Sequence, residues 1–204
     1  MEQSTMFEKA LKDFLTLWVT VEPIGTLILF ASLTATMTRA QRRAVAGKAA
    51  MYSAGILLGS IVVGQALLRA MDIQLISFQI AGGLILLLFA LQMVFGFSYG
   101  ASARPEQGHE IAVFPLALPS IAGAEAIMAV VLLTDNQVYP LGTQLVTAGV
   151  VVVVLAITYG LMLLAEPILR VIGLNGAAVL ERVTGVILAA LAIDFILQAV
   201  GWPR

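Results

Sequence analysis

Six long apolar runs, separated by short polar stretches, dominate the pattern of this chain. They cover residues 14–37, 49–68, 73–97, 111–133, 139–165 and 179–200. A helix needs about 20 mainly apolar residues to cross the hydrocarbon layer of a bilayer. Backbone groups in lipid must pair inside their own segment or inside a closed barrel. Runs this long, without alternation of period two, predict transmembrane helices rather than barrel strands.

The pattern also repeats. FQIAGGLILLLFALQMV around Gln79 matches ERVTGVILAALAIDFIL around Arg182, and LLRAMDI near Arg69 is echoed by ILRVIGL near Arg170. VEPIGTLILF from Val21 pairs with PSIAGAEAIM from Pro119. The matches come in order and about a hundred residues apart, which shared hydrophobicity alone does not produce. The expected organisation is therefore a first three-helix repeat over 1–97, a polar cytoplasmic linker over 98–110, and a second three-helix repeat over 111–204. An odd number of spans per copy inverts the second copy, a recurring plan of secondary transporters.

Composition agrees with a membrane solvent. Hydrophobic residues make up 60% of the chain and charged residues 11%, against about 25% charged in soluble domains. A net charge of −1 gives no electrostatic footprint for nucleic acid. With no cysteine and one histidine, His109, disulfides, iron–sulfur clusters and thiolate or His-rich metal sites are excluded, and no metal or cofactor is expected. No Ser–His pairing or paired-carboxylate signature points to an enzyme. The N-terminal stretch lacks a cleavable signal pattern.

Lys and Arg set the expected orientation. Arg39, Arg42, Arg43 and Lys48 follow the first span and form the densest basic cluster. Placing them in the cytoplasm as a topology anchor, rather than as a lipid-binding helix, puts both termini outside. Gly55 and Gly59, Gly64, and Ala81 to Gly83 mark small-residue faces that serve packing within the chain or between copies of it. Trp18, Tyr139 and Trp202 read as interface anchors.

Candidate chemistry sits where the apolar runs are interrupted. Pro23 lies in the first span, and Pro115 and Pro119 in the fourth, each removing a helical hydrogen bond. Gly25 and Gly123 follow closely and tolerate unusual dihedrals. Both halves are thus expected to carry a broken helix, whose free amides and carbonyls are raw material for a midplane site. Glu22 and Glu125 each stand beside a break, Glu22 in a capping position and Glu125 in a first helical turn. Each reads either as a cap or as a ligand for an ammonium group or cation. Asp194, in the sixth span, is expected to pair with Gln79, Gln92 or Gln198. Arg182, the repeat counterpart of Gln79, is expected to snorkel or to pair with Glu181, Glu166 or Asp194.

The segments EPIGTLILFASLT, FQIAGGLILLLFALQMVFG and IAVFPLALPSIAGAEAIMAVVLLTDN resemble the MarC family of six-span bacterial inner-membrane proteins. The likeness covers nearly the whole chain. The family is related to SnatA, described as a transporter of small neutral amino acids. The resemblance implies amino-acid transport linked to a proton or Na+, with membrane lipid as the surroundings. On that reading Glu22, Pro23, Gly25, Thr26, Pro119, Gly123, Ala124 and Glu125 form the substrate site, and Gln79, Arg182 and Asp194 are supporting polar residues. The chain departs from the family where Glu22 replaces Asp or Asn, and where Thr26 and Ile28 replace Asn and Pro. It departs again at Ala124-Glu125, in place of Pro-Gly, and at Gln79, in place of Arg. An acid in place of glycine alters both space and charge at the break. Three function classes follow: transport of a small zwitterion, cation transport or cation–proton exchange through the carboxylates, and a non-transporting membrane scaffold.

Overall fold

Pro23 opens a helix where its missing amide hydrogen needs no partner. In the computed structural model, which describes residues 2–96 and 110–202, that helix is α2 (Pro23–Leu33), and it follows α1 (Glu2–Val21) almost without a gap. The two form one membrane-length stretch, Met6–Leu33, interrupted at Glu22. Glu22 adopts the left-handed conformation, φ 50° and ψ 64°, at a cost of roughly 1–2 kcal/mol. Hydrogen bonding ends on one side of it and starts again on the other. The Glu22 amide donates to the Trp18 carbonyl at 3.2 Å, and the Thr26 amide to the Glu22 carbonyl at 3.1 Å.

The next helix, α3 (Arg39–Ala70), begins well before the apolar run at Ala49. Thr38 and Gln41 form a reciprocal capping box, a start signal that does not depend on hydrophobicity. The basic residues Arg39, Arg42, Arg43 and Lys48, expected in a loop, therefore ride on helix. After a short turn, α4 (Leu75–Phe95) ends at Gly96, whose φ of 71° makes the left-handed stop. The expected linker lies outside the described residues apart from Glu110.

In the second half, Ala112–Ile121 forms a widened, π-type proline segment. Prolines bias the preceding residue away from helix, and Phe114 (φ −131°, ψ 123°) and Leu118 (φ −127°, ψ 126°) are extended. Amides here reach back five residues, Leu116 to the Ile111 carbonyl at 3.4 Å and Ala122 to the Ala117 carbonyl at 2.9 Å. After Gly123 the chain bends by 54° into α5 (Ala124–Leu133). The two expected breaks thus differ in kind: one residue in the first half, a wide segment and a bend in the second.

Two helices complete the bundle: α6 (Leu141–Leu163) and α7 (Ala165–Ala199), the latter kinked at Gly173, φ 70°. Among the described residues, four stretches are long and apolar enough to cross a membrane, and the bent pair makes a fifth if counted as one span. The expected sixth span, 179–200, lies within α7, where Glu181, Arg182 and Asp194 dilute the apolar run.

The most extensive packing is α4 on α7. A Cβ on Gly83 would lie 3.1 Å from the Ala192 carbonyl, and one on Gly185 would lie 3.1 Å from the Ala90 carbonyl. These glycines let two backbones meet. They also place reciprocal contacts one residue away from the sequence match, which had set Gln79 against Arg182. Several further contacts come in mirrored pairs, α1 on α6 and the proline segment on α3, α2 on α6 and α5 on α3, α2 on α7 and α5 on α4, whereas the slighter contacts of α7 with α1 and α6, and of α5 with α6, have no counterpart of similar extent. Leu17, Phe30, Leu57, Leu116, Ile121 and Met162 fill the main core, while Leu86, Met128 and Leu188 fill a second one beneath α4 and α7. Large apolar side chains such as Val62, Leu88, Leu145 and Val186 point outward, as a lipid-facing surface requires. Gly64 packs on Val131 and Gly82 on Met128, but Gly55 and Gly59 meet nothing within 4 Å. That GxxxG pair is not an internal packing face.

Candidate functional site

The two breaks face one another. Thr26, in the first turn of α2, lies 3.0 Å by its hydroxyl from the hydroxyl of Ser120, near the end of the proline segment. This contact sets the start of α2 against the end of the proline segment, and the charge of Glu125 reaches Glu22. Glu22, Pro23, Thr26, Gly123 and Glu125 are buried there, whereas Pro119 and Ala124 are exposed.

Both carboxylates fold over glycine. A Cβ on Gly25 would lie 2.5 Å from Glu22 Oε1, and one on Gly123 would collide with Glu125 Oε1. Only glycine leaves room for these acids beside the helix starts. Glu22 holds the capping position of α2, but its side chain makes no capping hydrogen bond. Its Oε1 is buried and has no hydrogen-bond partner among the described residues. The cap expected from sequence is therefore positional only. Glu125, in the first turn of α5, turns its carboxylate toward its own amide. The charged groups that bear on Glu22 are Glu181 and Glu125. Among the described residues no group of three or more His, Asp or Glu converges closely enough to hold a metal ion.

The supporting polar residues lie elsewhere. Gln79 donates to the Phe195 carbonyl at 3.0 Å, tying α4 to α7. Asp194 accepts from Gln198 at 2.5 Å, one of the three partners expected. Gln79 and Asp194 line a cleft of about 470 Å³ at the end of the bundle that carries the α1 start, away from the breaks. Arg182 is exposed, near Gly96.

The same cleft holds a polar network that sequence reading missed. Lys9 Nζ lies 2.8 Å from both oxygens of Asp13, and the Thr147 hydroxyl donates to Asp13 Oδ2 at 2.6 Å. Lys9 also reaches the Leu133 carbonyl at 3.3 Å and sits 4.1 Å from the ring centroid of Tyr139. Asp13 is only 1% exposed. The available signal was the spacing of Lys9 and Asp13, one helical turn apart; that α6 would cover the pair was not visible. Tyr139, expected as an interface anchor, also takes part in this network. Burial first, then the carboxylates of Asp13 and Asp135, push its phenol above the usual tyrosine range.

At the opposite end, Arg42 plays the matching role for α2. It donates to the Thr34 carbonyl at 3.0 Å and the Ala35 carbonyl at 3.1 Å, and pairs with Glu166 at 3.1 Å. Each short helix after a break thus ends on a cation that is itself paired with an acid. Thr34 and Thr134 close those helices identically, each hydroxyl donating 2.7 Å to the carbonyl four residues back.

Known proteins place this arrangement in a family. A model described as MarC family integral membrane protein matches residues 7–201. A UPF0056 membrane protein of Methanocaldococcus jannaschii is 33% identical over 192 residues, covering 92% of this chain and 93% of that one. From Escherichia coli K12, the UPF0056 membrane protein YhcE is 31% identical, with 93% of this chain and 90% of that one covered. The UPF0056 inner membrane protein YhgN of the same organism is 29% identical, covering 88% and 90%. No solved structure matches the chain. With a family model spanning nearly its whole length, and apolar helices long enough to cross a bilayer, this chain belongs to the MarC family of integral membrane proteins.

Proposed function

We propose that this protein is a secondary transporter of a small neutral amino acid, working by alternating access of two inverted three-helix halves. The observation that carries this reading is Glu22 Oε1, a buried carboxylate oxygen without a partner where the two breaks meet. An unsatisfied buried polar atom costs about 1–3 kcal/mol, and acids inside membrane bundles mark substrate and ion pathways. A zwitterion supplies what the site lacks. Its ammonium group answers Glu22 and Glu125, and its carboxylate answers the amide ends of α2 and α5.

The mirrored packing of the helices supports the inverted-repeat reading, including six spans with α7 supplying the last. Reciprocal glycine contacts between α4 and α7 support it too.

The test is uptake of radiolabelled glycine and alanine into proteoliposomes under an imposed proton or Na+ gradient. Gradient-dependent uptake is expected; folded protein that moves neither solute refutes the proposal. The charges of Glu125 and Glu181 that reach Glu22 favour one second reading, cation transport or cation–proton exchange, with backbone carbonyls or water completing the shell of any cation. Flux measured on Glu22→Gln and Glu125→Gln separates the two. Loss of cation dependence with no amino-acid flux in any variant selects the exchanger.

A further inference from the structure

Basic side chains at a helix start oppose the helix dipole, and like charges four residues apart repel. Arg39 and Arg43 do both in the first turns of α3. Neither makes an ion pair or a side-chain hydrogen bond among the described residues, and both are exposed. They face a pocket of about 520 Å³ between α3 and the α6–α7 junction, which Arg42, Glu166, Met162 and Leu163 also line.

The acid in that pocket does not answer them. Glu166 pairs through one oxygen with Arg42 and through the other with Arg170, both at 3.1 Å. Arg42 is further committed to the carbonyls of Thr34 and Ala35. Three guanidinium groups thus surround the pocket against one carboxylate already shared, and two of the three have donors to spare. Planar guanidinium forks match phosphate oxygens, and an anion between Arg39 and Arg43 would relieve both the repulsion and the dipole mismatch.

The setting selects the source of that anion. The pocket lies beside the start of α3 and the end of α6, two helices long and apolar enough to cross a membrane, and basic residues flanking such spans attract anionic headgroups. Its floor is apolar, and the neighbouring Leu164 is 54% exposed toward the outside of the bundle. We propose that this pocket binds an anionic phospholipid, with the headgroup phosphate between Arg39 and Arg43 and an acyl chain along Leu163 and Leu164. The site stands apart from the helix breaks and does not depend on the transport reading.

The test uses the full chain, delipidated in a neutral detergent and titrated with phosphatidylglycerol, phosphatidylcholine or inorganic phosphate. Bound lipid is counted by native mass spectrometry, and the unfolding temperature is followed in parallel. Phosphatidylglycerol is expected to bind and to raise the unfolding temperature, while the other two do neither. At about 1 kcal/mol per basic residue near an anionic headgroup, Arg39→Gln with Arg43→Gln should weaken phosphatidylglycerol binding about 30-fold. Arg69→Gln, at the far end of α3, should leave it unchanged. Arg39→Lys with Arg43→Lys keeps the charge and should lose less than the glutamine pair, which guards against a folding defect in the latter. Binding untouched by the glutamine pair, or weakened as much by Arg69→Gln, overturns the proposal. Protection by inorganic phosphate equal to that by phosphatidylglycerol also overturns it, in favour of a free-anion site.

Discussion

Glu22 combines three unfavourable features in one residue: a left-handed backbone, burial, and a carboxylate oxygen without a partner. Other acids, Glu125 and Glu181, are its charged neighbours. If that residue exists for solute binding, the variant Glu22→Gln should be more stable than the parent while transporting less. The amide leaves the backbone strain in place but removes the acid, so the gain is limited to the desolvation of the carboxylate and its repulsion by neighbours. Removing such a group is worth about 1–3 kcal/mol, within the roughly 2.5–3.5 kcal/mol of an acid at the bilayer centre. The measurements are unfolding in detergent micelles by heat or denaturant, and proteoliposome uptake on the same preparation. A protein stabilised by Glu22→Gln, with uptake lowered by an order of magnitude or more, bears out the reasoning. A destabilised variant with unchanged uptake refutes it, because Glu22 would then be a structural cap and the site would lie elsewhere.

Lys9→Met should strand the Asp13 carboxylate, 1% exposed, beside Thr147. Breaking a buried pair from one side costs about 3–5 kcal/mol, and adding Asp13→Leu should recover much of that in a double-mutant cycle followed by denaturant unfolding. Gly83→Leu should collide with the Ala192 carbonyl and Ile196 and destabilise α4 against α7 by at least about 1–3 kcal/mol. Gly55→Leu, facing open space, should stay within about 0.5 kcal/mol of the parent. Tyr139 should titrate after an ordinary tyrosine when tyrosinate absorbance is followed. Because the folded state raises its pKa above 10.0, the contribution is present below the unfolded pKa and lost as pH rises through the folded one. Tyr139→Phe should abolish that alkaline loss.

Which parts of the site were legible depended on whether the signal was local. Pro23 and Pro119 announced interruptions because a missing amide hydrogen acts on its own turn, whatever surrounds it. One proline in the first span against two in the fourth was the local sign that the interruptions differ, but the form each takes was not readable from it. At Glu22 one helix ends and the next begins within a single residue, while two prolines four residues apart widen the second segment into five-residue reach. Glu22 looked like a cap because its position is a cap position. That its carboxylate folds over Gly25 instead of bonding an amide is a matter of side-chain packing. Likewise, matching by hydrophobic similarity set Gln79 opposite Arg182, whereas packing of Gly83 and Gly185 against carbonyls shifted the register by one residue.

By itself the sequence determined the solvent, the helical class and the places where helices fail, because these follow from apolar run length and from proline and glycine acting on adjacent backbone. Family membership followed from motifs that are also contiguous. Only the tertiary structure decided which polar groups meet. It joined Thr26 to Ser120, Lys9 and Asp13 to Thr147, and Arg42 to Glu166, and it left Glu22 Oε1 alone. Those pairings span helices far apart in the chain, so each depends on the rotation and depth of whole helices, which cannot be read from one segment at a time.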